Sequence, residues 1–206
     1  IRAPLSVDDV LREKEISYPL TRPMCAPIGD GAAAAILCSE SFLSRSNRVG
    51  PKVRVRSSVL VSGTNRAMDE GEDLAERAAR KAFGEAGIGP KDISLAELHD
   101  ATAFGEIHHS ETLGLSPPGR GGELAESGAT ALGGRIPLNT SGGLESRGHP
   151  IAATGIAQLH EAFEQLTGRA GTRQVPNARF ALTENGGGNI GFEEAALTIH
   201  IYEREA

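Results

Sequence analysis

The chain has 206 residues, 39% of them hydrophobic, and a formal net charge of -6 at pH 7. That length can bury a core without disulfide or metal staples, and interspersed acids and bases leave no basic stripe for a phosphate backbone, which argues against nucleic acid as a partner. Two cysteines in separate segments, no run near the roughly 18 apolar residues of a membrane span, and no basic start with an apolar core in residues 1–17 predict a cytoplasmic protein without a membrane span.

Ile1 is not a methionine, and the opening residues read as the continuation of a folded unit, so a fragment of a longer polypeptide is expected. Residues 32–39, entered through Gly29-Asp30-Gly31, are small and apolar and bounded by turn residues, as a closely packed buried strand requires; four alanines leave a helix as the alternative. Val53 and Val55 alternate with charged neighbours before Val59-Leu60-Val61, which predicts one strand or two over 52–62. The spacing predicts a helix over 72–86: Leu74, Ala75, Ala78, Ala79, Ala82, Phe83 and Ala86 form one stripe and Gly87 stands at the C′ position. Asp73 with Arg77 and Glu76 with Arg80 have i,i+4 spacing.

A short strand over 93–98 then delivers His99 and Asp100 at its carboxyl end, where α/β proteins place chemistry, and a helix over 102–113 follows. Glycine and proline make 117–134 a surface excursion. A second helix over 152–166 aligns Ile156, Leu159, Phe163 and Leu166, and strands over 178–183 and 195–202 flank a glycine-rich hairpin. Strands alternating with helices indicate an α/β layered fold with a mixed sheet of five strands.

The densest cluster of candidate chemistry is Asn139-Thr140-Ser141-Gly142-Gly143 followed by Gly148-His149-Pro150. Glycines at this density suit a backbone that turns sharply or approaches a ligand closely. His149 at a helix entrance is a candidate general base, because imidazole titrates near pH ~6.5; a turn histidine that caps backbone groups is the plainer alternative. His99 at a strand end can donate a hydrogen bond to an oxygen that becomes an oxyanion, and a satisfied polar turn is again the alternative.

Gly186, Gly188 and Gly191 satisfy G-x-G-x-x-G literally, yet a strand rather than a helix follows them, so dinucleotide binding is rejected. That loop is expected to lie against a substrate with Glu184 or Asn185 projecting into the site. His108 and His109 point about 100° apart on a helix and lack His-Glu-x-x-His spacing, so no metal site is expected. G-x-S-x-G is absent, which weakens a hydrolase reading.

Taken together, Asn139-x-x-Gly142-Gly143, Gly148-His149-Pro150 and Ala153-Thr154-Gly155 resemble the N-x-x-G-G-x-x-x-x-G-H-P-x-G-A-T-G motif of thiolases. Leu98-His99-Asp100-Ala101 is similar to the H-D-x-F turn of the sterol-carrier-protein type, with Phe104 later than the motif places it, and Gly29-Asp30-Gly31-Ala32-Ala33 resembles the D-G-A-A strand entrance. The terminal glycine-rich loop is similar to C-x-G-G-G or H-N-x-G, with Glu184 where the family carries a cysteine or histidine and Ala152 in place of a motif glycine.

The resemblance spans nearly all 206 residues and implies the C-terminal half of the thiolase fold over 1–206. It implies a thiolase-type acyltransferase on acyl-CoA thioesters, by 3-oxoacyl-CoA thiolysis or Claisen condensation. His149 would be the base, His99 the oxyanion donor and Glu184 an acid/base group, with Asn139, Gly148, Asn185, Gly186 and Gly187 binding substrate. The nucleophilic cysteine would belong to the other half. No cofactor is implied, since the CoA thioester is the substrate. A homodimer and a small OB-fold acyl-CoA-binding partner are expected, and divergent bacterial lipid-transfer homologues are the nearest pattern. The rivals are a retro-aldolase on a branched or steroid-derived acyl-CoA and a non-catalytic acyl-CoA or lipid-binding subunit.

Overall fold

The computed structural model describes residues 4–46, 50–67 and 70–205; Ile1, where the chain was expected to continue another unit, lies outside them. Helix α1 (Val7–Arg12), the ribbon of β1 (Glu15–Ser17) and β2 (Leu20–Thr21), and helix α2 (Glu40–Arg45) precede the main unit. A four-stranded mixed sheet follows in the order β3 (Val53–Ser62), β6 (Ala196–Arg204), β5 (Phe180–Gly187) and β4 (Leu95–Glu97). Only β4 and β5 are parallel, with Leu95 opposite Ala181 and Glu97 opposite Thr183. Residues 52–62 therefore make one strand, bent by a register shift between Val55 and Ser57.

Strand alternation sorts the core into two layers. Leu182, Leu197, Ile199 and Ile201 face helix α3 (Leu74–Ala86), and all seven apolar residues expected on its stripe are buried. Asp73 caps its first turn by accepting from the Ala75 amide, and Gly87 closes it at φ 69°. Arg77 and Arg80 depart from the expected i,i+4 pairing: they reach Glu193 and Glu72. On the opposite face Leu95, Ala181 and Tyr202 pack against α7 (Thr154–Leu166). Helices α4 (Ala103–Thr112), α5 (Gly121–Glu126) and α6 (Gly143–Arg147) complete the chain, so the 117–134 excursion contains one short helix.

Two expectations fail for physical reasons. Residues 32–39 carry no strand and no ladder pairing among the described residues, leaving Ile36 97% and Leu37 75% exposed, so the sheet has four strands rather than five. A small apolar run becomes a strand only where a ladder partner is within reach. Helix α7 buries Gln158, Glu161, Ala162, Gln165 and Leu166, whereas Ile156 and Phe163 stay 37% and 36% exposed. Its amides and carboxylate satisfy buried backbone and loop groups, which outweighs the apolar stripe in fixing the helix rotation.

Candidate active site

The parallel strands β4 and β5 end on the same side of the sheet, and the two candidate histidines meet there. His99 follows β4; its amide donates to Glu184 Oε2 at 2.9 Å. Gly148, at φ 98°, turns the chain from α6 into His149, whose amide donates to Pro27 O at 2.8 Å while the Gly29 amide donates to His149 O at 3.4 Å. The rings of His99 and His149 lie 5.1 Å apart, edge to face at 77°. Both line a cavity of about 600 Å³ together with Asn185, Gly186, Gly187 and Glu194, rimmed by Phe104, Ile151 and Phe192.

The state of each ring follows from its neighbours. Thr154 Oγ1 donates to Pro150 O at 3.2 Å and lies 2.8 Å from His149 Nδ1. A hydroxyl has one proton, so its oxygen accepts from Nδ1–H and leaves Nε2 as the basic nitrogen. Burial lowers the His149 pKa. Burial, then the charges of His149 and His109, hold His99 down at about 4 against a contact with Asn185 that raises it. His99 is therefore a neutral imidazole near pH 7.

Several other predicted residues are brought to the site in roles different from those expected. Glu184 is 0% exposed and sits behind the cavity wall, its pKa raised by burial. It faces the α3 and α4 side while Asn185 faces α7, because β5 runs through Glu184–Gly187 as strand rather than loop. Expected as an acid/base group, Glu184 here accepts from the His99 amide. Asn139 is likewise a support, accepting from the Leu98 amide at 2.8 Å and donating to Glu106 at 2.7 Å, not a cavity group. Gly148 shapes the turn and adds no wall of its own.

Composition and spacing did not single out Gln158 or Glu194, weighed His109 only as a metal ligand, and placed Thr154 only within the motif. Gln158 donates to Glu184 O and accepts from Asn185 Nδ2, tying α7 to β5. A weak signal for Thr154 was its place five residues after His149 in the motif. Glu194 gave none, because it reaches the cavity only by folding of the β5–β6 turn.

That turn is anchored by Glu193. Burial pushes its carboxyl up, yet Arg66, the Thr64 amide and hydroxyl, and Arg77 together hold it down at about 2. A folded-state pKa below the ordinary 4.5 stabilises the protein above that value, and the contribution disappears as pH falls through about 2. Glu193→Gln is expected to cost about 2 kcal/mol at neutral pH, below the ~3–5 of a fully buried pair because Arg66 and Arg77 keep some solvent. Denaturant midpoints of the two proteins should converge between pH 4.5 and about 2; a constant gap would refute the anchor.

Residues 62–200 match the family described as Thiolase C-terminal domain-like. The chain is 39% identical to Sterol carrier protein 2 of Homo sapiens, a similarity covering 98% of this chain and 40% of that protein. It is 41% identical to the acetyl-CoA acetyltransferase of Methanothermobacter thermautotrophicus, over 97% of this chain and 52% of that protein. With Benzoylsuccinyl-CoA thiolase subunit BbsB of Thauera aromatica it shares 37% identity, over 89% and 49%. The solved structure titled Ltp2-ChsH2(DUF35) aldolase has the same fold, with a TM-score of 0.79 at 20% identity over 96% of this chain and 51% of that one. The chain thus spans between 40% and 52% of these curated relatives.

Proposed function

Because the chain belongs to the Thiolase C-terminal domain-like family, we propose that residues 1–206 form the C-terminal half of a thiolase-type acyltransferase acting on acyl-CoA thioesters. The observation that carries this is the meeting of two imidazoles in different states: His99, held neutral, and His149, with Nδ1 committed to Thr154. His149 Nε2 takes the proton of the nucleophilic thiol, since the thiolate is the reactive form. His99 turns an N–H to the thioester oxygen as charge develops there; Glu184 holds its backbone amide and Asn185 contacts its ring. Phe104, Ile151 and Phe192 offer the acyl group an apolar rim.

The thiol lies on the half that this chain does not span, CoA enters as substrate, and no cofactor takes part. Free Cys25 and Cys38 suit the cytoplasm, and exposed Ile36, Leu37 and Phe42 suit a homodimer or a small acyl-CoA-binding partner. No helix among the described residues is long and apolar enough to cross a membrane.

A second reading, retro-aldol cleavage of a branched or steroid-derived acyl-CoA, is favoured by Glu184 standing where the family's turn carries cysteine or histidine. Mass spectrometry of full-length protein quenched during turnover separates them. Acyl transfer leaves the nucleophile heavier by one acyl group, and an unmodified enzyme at full activity would rule it out.

A further inference from the structure

The cavity holds a carboxylate to which the acyl-transfer scheme gives no task. Glu194 lines it beside His99 and His149 and keeps 32% of its side chain exposed. Its placement is enforced from several directions. A Cβ at Gly186 would stand 2.6 Å from Glu194 Cγ and 3.2 Å from Oε1, so β5 lacks a side chain where Glu194 lies. A Cβ at Gly63 would come within 2.2 Å of Glu194 O. The preceding Glu193 is clamped by Arg66 and Arg77, which fixes the turn. Finally, His109 Nε2 lies 3.8 Å from Glu194 Oε1 and 3.9 Å from Glu184 Oε2.

Forming or breaking a carbon–carbon bond next to a thioester requires two proton movements, one at the nucleophilic thiol and one at the α-carbon. His149 has one basic nitrogen and serves one of them. Glu184, the expected second group, is sealed behind the wall. We propose that Glu194 exchanges the proton with the α-carbon of an acyl-CoA thioester. This rests on the reading of the site as a thioester enzyme and adds the second acid/base group. A carboxylate oxygen of Glu194 bonds to the α-hydrogen, the C–H pair becomes the enolate double bond, and the carbonyl pair moves onto the thioester oxygen facing His99. In the cleavage direction the Glu194 carboxylic acid returns the proton to the α-carbon. Nothing is oxidised or reduced.

The test is α-deuteration of acetyl-CoA by full-length protein in D2O, read by mass spectrometry. The exchange needs a base and an oxyanion donor but no acyl-enzyme, so it is independent of thiolysis. Glu194→Gln is expected to slow it at least about 10²-fold, the scale of a lost general base. Glu194→Asp should recover at least about tenfold of that, because a carboxylate remains. Glu184→Gln, which keeps an oxygen for the His99 amide, should slow exchange less than Glu194→Gln does. Exchange in Glu194→Gln within about twofold of the unmodified protein, a larger loss in Glu184→Gln, or no exchange by the unmodified protein each overturns the proposal. Thiolysis lost in His149→Ala with exchange indifferent to Glu194 leaves acyl transfer standing and removes this inference; exchange that depends on Glu194 in a protein that shows no thiolysis removes acyl transfer instead.

Discussion

His149→Ala in the full-length protein should lower kcat/KM for 3-oxoacyl-CoA thiolysis by at least about 10²-fold while acyl-CoA affinity changes little. The loss falls on chemistry because the ring contributes one basic nitrogen to the cavity, whereas the backbone of residue 149 is held by Pro27 and Gly29 whatever its side chain. Burial lowers the His149 pKa from 6.5, so the base form is present at neutral pH and is lost on acidification. The acid limb of the pH profile of kcat/KM should therefore fall below pH 6.5, and alanine should abolish that limb. His99 contributes nothing to it, since its pKa of about 4 keeps it neutral throughout. Turnover retained within about tenfold would show that His149 is not the base, whereas acyl-CoA binding by the unmodified full-length protein with no turnover at all would point to a non-catalytic acyl-CoA or lipid-binding subunit instead.

Helix α3 and the two histidine turns were legible in the sequence because each is a local pattern: an apolar stripe closed by a glycine, His149 between Gly148 and Pro150, and His99 beside Asp100 at a strand end. The failures share one cause, namely that pairing is not written in periodicity. Residues 32–39 have the composition of a buried strand, but composition does not supply the hydrogen-bond partner. In α7, Gln158, Glu161 and Gln165 are buried because β5, Thr140 and Arg173 need their amides and carboxylate, and an apolar-stripe count cannot register that demand. At the candidate site a single residue of phase decided the outcome. With the chain after Thr183 read as loop, Glu184 could project anywhere; as strand through Gly187, it must oppose Asn185. Glu194 reaches the cavity only because a tight turn at Ile190 and Glu193 folds the chain back over Gly186.

Gly143→Ala should destabilise the protein by roughly 4 kcal/mol, combining the ~1–3 of overpacking with the ~1–3 of unmade buried hydrogen bonds. The added Cβ would stand 2.0 Å from Asp100 Oδ2, on a backbone at φ 59°. Asp100 cannot yield cheaply: its Oδ1 accepts from the Leu144 amide at 2.7 Å, and burial, opposed by the Leu144 and Glu145 amides, raises its pKa to about 7. Pushing that carboxyl aside strips the start of α6 of its acceptor and shifts the turn that presents His99. The melting temperature should drop by roughly 10 °C for a chain of this size, with a loss of thiolysis that persists at temperatures where the variant is still folded. Gly122→Ala is the control, since a Cβ there meets nothing within 4 Å. A Gly143→Ala protein melting within about 2 °C of the unmodified one would show that Asp100 is free to move, and the contact of Asp100 with the glycine-rich turn at Gly143 would then lose its role in holding His99 against His149.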